Sequence, residues 1–206
     1  PAGKLAQCPL EIGNITNLGT HLYQVGENQA NVFVFQEHSC PPGERAKMRN
    51  YLRSRRKETI LGPLDPEAKH NLAGVGVTSN HCNRVLRVLA KSATFTAAKQ
   101  TGRADCYAID LGHATTMCCF ILYGWTGAAQ DKKAANRTNR LVEACIDELR
   151  VHPDGPACIV GDINSEPHNF QALQDLLANQ GWVGLGANAR IWGRTDNDHT
   201  CVAPNT

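Results

Sequence analysis

The chain of 206 residues is predicted to fold as a layered α/β sandwich, with two mixed β-sheets packed face to face and helices outside. Three observations predict it. Short apolar runs of strand length recur along the chain, amphipathic segments of helix length fall between them, and the connections mix hairpins with strand–helix–strand units. Apolar residues make up 42% and charged residues 19% of the sequence, enough to bury a real core, so disorder is not the default reading. The length fits one domain of good size or two small ones, and the chain is read as a single domain over residues 1–206.

Taken in order, 9–18 (PLEIGNITNL) is predicted to be a short strand with a polar end, and 20–28 a helix. In 30–39 the unbroken run Val32, Phe33, Val34, Phe35 reads as a strand buried on both faces, followed by Glu37. The segment 41–58 starts at a proline break and becomes a basic helix. Gly/Val-rich 73–80 is predicted to be a strand, and 106–112 with 115–124 a hairpin turned at Gly112-His113. In 134–152, Leu141, Cys145, Ile146 and Leu149 share one helical face. A buried strand follows at 157–164, then an amphipathic helix at 169–181, with Phe170, Leu173, Leu176 and Leu177 inward and Gly181 as its stop. The last six residues, CVAPNT, carry no helix or strand pattern.

The net charge of +2 is too small to draw nucleic acid to the molecule as a whole, so any such attraction needs a local patch. The nine cysteines include no C-x-x-C pair, and five (Cys106, Cys118, Cys119, Cys145, Cys158) lie in apolar runs, the pattern of a reduced intracellular protein. His and Cys approach each other in EHSC and SNHC without zinc-finger spacing. No window nears 18 consecutive apolar residues, so no transmembrane helix and no membrane partner is expected. Oligomeric state leaves no mark in the sequence.

Several strands end in residues that are costly to bury: Asn14, Glu37, Tyr123, and Asp162 with Asn164. Ligands of sheet-based α/β proteins gather where strand ends meet. Two carboxylates suit Mg²⁺, with Mn²⁺ as an alternative, because such a cation takes one or two carboxylates and completes its shell with water and phosphate. Amide and phenol groups beside it can hold a phosphoryl oxygen. The set suits metal-assisted hydrolysis of a phosphate ester.

Four motifs in order, GNITNL, VFVFQE, LYGWTG and IVGDINSEP, resemble those of the endonuclease/exonuclease/phosphatase superfamily, the fold of the apurinic-site endonucleases and DNase I. GNITNLGTH, YGWTGA and the late Thr-Cys look most like the endonuclease domains attached to reverse transcriptases of non-LTR retrotransposons. The resemblance implies a four-layered sandwich and a metal-dependent DNA endonuclease, possible in the nucleus. It makes Glu37 the metal-binding glutamate and Asn14 the asparagine beside the metal. Asp162 resembles the aspartate that orients or deprotonates the attacking water, Asn164 the amide that steadies the phosphoryl group, and Tyr123 the phosphate-contacting tyrosine.

The superfamily also has a late Asp and a final His. This chain is expected to end before them, truncated at its C-terminus with the last strands missing; Asp198-His199 is the alternative pair. Other choices stay open. Glu37 could cap a strand, Asp162 and Asn164 could form an Asx turn before Pro167, Tyr123 could be core, and Asn17 competes with Asn14. Arg45, Arg49 and Arg53 share a helical face that is either solvated or in contact with phosphates. Trp125, Trp182 and Trp192 read as packing, and Trp125 alone could stack on a base. Two further functions compete with the endonuclease: a phosphatase acting on a phosphoinositide or other small phosphoester, and a degenerate fragment that binds nucleic acid without cutting it.

Overall fold

The computed structural model describes residues 9–68, 73–80, 85–112, 114–152, 155–184 and 198–202, the last of these by main chain alone. Among the described residues five α-helices and ten strands follow one another: β1 (Leu10–Asn14), α1 (Leu18–Glu27), β2 (Val32–Gln36), α2 (Arg45–Ser54), β3 (Lys57–Leu61), β4 (Gly76–Asn80), β5 (Val85–Arg87), α3 (Ala93–Gln100), β6 (Ala104–Gly112), β7 (Thr115–Tyr123), α4 (Lys132–Leu149), β8 (Ala157–Asp162), α5 (Gln171–Asn179), β9 (Val183–Gly184) and β10 (Asp198–Val202). They build a four-stranded sheet in the order β1-β2-β4-β3 and a six-stranded sheet in the order β5-β6-β7-β8-β10-β9. Both are mixed: β1–β2 and β7–β8 run parallel and their other neighbours antiparallel.

Side-chain alternation sorts the core into three layers. Val32 and Val34 of β2 meet Tyr107, Ile121, Tyr123 and Val160 of the six-stranded sheet between the two sheets. Phe33 and Phe35 point the other way, onto Leu18, Val25, Met48 and Leu52 of α1 and α2. On the far side, Cys106, Phe120 and Ile159 pack beneath α3, α4 and α5 through Phe95, Leu141, Cys145 and Leu173. The unbroken apolar run of β2 is thus buried on both faces.

The structure corrects several expectations. The basic helix ends at Ser54, and Lys57 and Glu58 open β3 instead. Lys57 is buried, with its ammonium donating to the Asn28 carbonyl. Alternation in KETIL is masked by its two leading charges. Cys201 and Val202 belong to β10, which pairs with β8, so the first two residues of CVAPNT do carry strand character, and 203–206 lie outside the described residues. β5, α3 and β9, unforeseen in the sequence, are short elements held by neighbours: β5 by pairing with β6, β9 by β10, and α3 by a Ser92 cap and buried Phe95. His113 and Trp192 lie outside the described residues.

Among the described residues no helix is long and apolar enough to cross a membrane. The described cysteines Cys40, Cys106, Cys118, Cys119, Cys145 and Cys158 are free thiols.

Candidate active site

The parallel neighbours β7 and β8 end together, with Tyr123 opposite Asp162. The Gly124 amide donates to the Asp162 carbonyl at 2.7 Å. This close pairing depends on glycine at two positions. Gly161 has φ +139°, and a Cβ there would stand 1.9 Å from the Leu122 carbonyl oxygen. A Cβ on Gly124 would meet the Ile163 carbonyl oxygen at 2.6 Å. The glycines in LYG and VGD therefore set how close the two strand ends come.

β1 and β2 bring the other half from the facing sheet. They are parallel and in register, so Asn14 lies beside Gln36. Asn14 crosses the sandwich and donates from Nδ2 to Asp162 Oδ2 at 3.4 Å. Its own oxygen accepts from the Thr16 amide at 3.1 Å. Its competitor Asn17 caps α1, accepting from Gly19 N at 2.8 Å, and is used up there. Glu37 follows β2 with φ +57°, a left-handed conformation uncommon for glutamate. Tyr123 donates its hydroxyl to Glu37 Oε1. Asp162 Oδ1 accepts from the Asn164 amide at 2.8 Å, so the alternative Asx turn is present, within the cluster. Asn14, Glu37, Tyr123, Asp162 and Asn164 are brought together at one end of the two sheets.

Burial raises the Asp162 carboxyl above its ordinary range. Hydrogen bonds from Asn164 and Asn14 oppose that rise, and the charge of Glu37 adds to it. Tyr123 is also held well above the ordinary phenol range, by burial and by its bond to Glu37. Beside Glu37, His38 is buried and held down to about 4, chiefly by burial and next by the Arg45 charge. Its Nδ1 accepts from Cys40 N at 3.0 Å, and its Nε2 lies 3.2 Å from the Gly62 carbonyl oxygen. That pattern makes it a neutral brace for the loop carrying Glu37.

Two residues of the site were missed in the sequence. Arg103 is buried, donates to the Gly124 carbonyl at 2.9 Å and pairs with Asp65 at 2.7 Å. The same carbonyl accepts from Asn164 Nδ2 at 3.1 Å. The Arg103 guanidinium also lies 4.9 Å from the Tyr123 ring centre and 4.7 Å from that of Trp125. Arg103 and Asp65 thereby brace Tyr123, Gly124 and Asn164 from behind. The available signal was a charge entering an apolar strand in GRADCYAI. Arg137 also lies over the Trp125 indole, at 4.2 Å, so Trp125 takes a packing role here.

The basic face of α2 is largely engaged: Arg45 donates to the Gly62 carbonyl at 2.9 Å and Arg53 pairs with Glu58 at 3.2 Å. The main chain of β10 sets Asp198 opposite Asp162 and His199 opposite Gly161.

Among the described residues no three His, Cys, Asp or Glu side chains gather into a metal cage. A cation between Glu37 and Asp162 would instead have two carboxylates, an amide oxygen, water and substrate, the mixed shell that Mg²⁺ favours. The donor set fits: hard oxygens only, and a buried acid raised by burial and by a second acid.

No protein-family model matches the chain, and no curated protein matches it in sequence. In fold, solved structures of the endonuclease/exonuclease/phosphatase superfamily do match, and their two-sheet sandwich is the fold of this chain. A 3′ phosphatase from Neisseria bound to a product DNA hairpin superposes with TM-score 0.65 at 16% identity, over 96% of this chain and 87% of that one. An AP endonuclease from Archaeoglobus fulgidus gives 0.63 at 12%, over 96% and 87%. A mannosyl-6-phosphatase from Bacteroides thetaiotaomicron gives 0.63 at 15%, over 96% and 86%.

Proposed function

We propose that the chain is a metal-dependent phosphodiesterase, and specifically a DNA endonuclease that hydrolyses the phosphodiester backbone. The observation that carries this reading is the meeting of Glu37 and Asp162 from opposite sheets, framed by Asn14, Tyr123 and Asn164. Glu37 and Asn14 would hold a divalent cation, Mg²⁺ or Mn²⁺. When bound, it would neutralise charge on the phosphate and ease ionisation of water.

The chain's own residues supply the rest. Asp162, raised by burial, is a stronger proton acceptor than an exposed aspartate and would take the proton of the attacking water. Asn164 is fixed by the Gly124 carbonyl and has a second amide N–H to offer a phosphoryl oxygen. The Tyr123 hydroxyl, kept protonated, donates to Glu37 or to the substrate phosphate. The pairing of β7 with β8 holds these groups on rigid strand ends.

DNA is favoured as substrate by the likeness to non-LTR retrotransposon endonuclease motifs, and by similarity to the Neisseria phosphatase bound to a DNA hairpin and the Archaeoglobus AP endonuclease. The test is nicking of supercoiled plasmid with Mg²⁺ against EDTA, for this chain and for Asp162→Ala. Metal-dependent nicking lost in the variant is the expected result. Phosphate release from small phosphoesters without nicking would replace DNA by a small substrate. DNA binding with no hydrolysis of either would make the chain a degenerate binding module.

A further inference from the structure

Gln36 is fully buried, and among the described residues neither its amide oxygen nor its amide nitrogen has a hydrogen-bond partner. Among the described residues only four buried side-chain atoms share that condition, and two of them are in this one amide. The other two, on Thr59 and Thr78, sit opposite each other on β3 and β4. They share the face of Phe33, away from the second sheet. Gln36 faces the other way. It has the parity of Val32 and Val34, which fill the space between the sheets. It is also in register with Asn14, whose amide crosses that space to Asp162. The unpartnered amide is therefore aimed at the floor of the Glu37–Asp162 cluster, one residue before Glu37.

A buried amide without partners costs stability, and an apolar side chain of the same shape would relieve that cost. Such a group persists where it meets a water or an ion. Mg²⁺ and Mn²⁺ keep several of their waters when bound by few carboxylates, and those waters need acceptors.

We propose that Gln36 is a further residue of this site: its amide oxygen accepts from a water of a hydrated divalent cation seated between Glu37 and Asp162. This rests on the metal-dependent reading above. Gln36 is a positioning residue, acting on the cation through water. It anchors the inner side of the hydration shell, where no solvent reaches.

The test measures Mn²⁺ affinity of the full chain by the free-Mn²⁺ electron paramagnetic resonance signal, together with Tm in EDTA, for Gln36→Met, Gln36→Glu and Glu37→Gln. For Gln36→Met the expected result is Mn²⁺ binding weakened by about 10–100-fold, with Tm in EDTA unchanged or raised. Gln36→Glu keeps the shape and adds charge, so it should lower Tm in EDTA and tighten Mn²⁺ binding; it serves if the methionine variant does not fold. Mn²⁺ affinity within twofold of the parent in whichever variant folds would overturn the proposal and leave a structural void or trapped water. Mn²⁺ affinity unchanged in Glu37→Gln would overturn the metal-site reading itself. Loss in Glu37→Gln with none at Gln36 would overturn only this inference.

Discussion

Two buried aspartates sit on strands of the same sheet and live under opposite conditions. Asp105 on β6 is fully buried, with Arg87 at 3.0 Å, Lys99 at 2.8 Å, the Tyr107 hydroxyl at 3.0 Å and the Cys106 amide at 3.0 Å. Asp162 on β8 is nearly as buried, but among the described residues its oxygens receive only hydrogen bonds from Asn14 and Asn164, and its charged neighbour Glu37 is another acid. At Asp105 the fold supplies the counter-charge itself, so the acid ties β5, α3 and β6 together. At Asp162 no cationic side chain among the described residues supplies a counter-charge, and in the proposed reading a bound cation would supply it. One acid stabilises the sandwich, and the other is held ready at its rim.

The strongest test of that contrast replaces each acid. Asp162→Asn should lower phosphodiester hydrolysis by about 10²–10⁴-fold, the typical worth of a positioned proton acceptor. Its Tm should stay level or rise. The sign follows from the raised carboxyl: a folded state that holds its proton more tightly than the unfolded state is favoured at low pH and loses that advantage as pH rises, so neutral Asn removes a penalty at neutral pH. Asp105→Ala should do the reverse. Leaving Arg87 and Lys99 without their partner should cost about 3 kcal/mol, at the low end for breaking a buried pair because Arg87 is partly exposed. Thermal melts beside hydrolysis rates read both; equal loss of Tm in the two variants would erase the distinction.

Acid should separate the regions again. His38 is held at about 4 in the fold against 6.5 for the free side chain. The His38 contribution to stability is therefore constant above pH 6.5 and falls as pH drops toward 4, because only the unfolded chain takes up the proton. The full window corresponds to about 3 kcal/mol, and denaturant melts from pH 7 to 4 should show His38→Gln flattening that slope. The acid limb of the hydrolysis profile should lie above the ordinary aspartate range, and Glu37→Gln should move the limb of its residual activity downward by removing the neighbouring charge. Lack of movement would detach Glu37 from Asp162.

Smaller effects distinguish groups that brace from groups that react. Arg103→Lys loses the flat donor set that bridges Asp65 and the Gly124 carbonyl, and with it the hold on Asn164. It should lower kcat by about tenfold, in line with losing an outer partner of a site group, without shifting the acid limb. The smallest effect contrasts two nearby asparagines. Asn17→Ala should cost about 1 kcal/mol as a lost helix cap and leave hydrolysis unchanged. Asn14→Ala should lower hydrolysis with little change in Tm. A reversal would exchange their roles.

By itself the sequence determined the architecture and most of the candidate cluster. Apolar runs such as Val32–Phe35 and Ile159–Val160 can only be strands buried on both faces, and the periodic face of 134–152 can only pack as a helix. A carboxylate, amide or phenol at the end of such a strand is conspicuous because burial makes it costly; so Asn14, Glu37, Tyr123, Asp162 and Asn164 were legible one strand at a time. Short elements were not: β5, α3, β9 and β10 draw their stability from pairing and packing with distant segments, and local pattern carries little of that. Only the tertiary structure decided which polar residue serves which purpose. Asn14 and Asn17 are the same chemistry three residues apart, and a helix cap takes one while the opposite sheet takes the other. Asp105 and Asp162 look alike in sequence, and only the cations around the first set them apart. Gln36 and Arg103 belong to the cluster through partners far along the chain, or through the lack of them. Burial and charge are sums over neighbours in space, and the chain order does not list those neighbours.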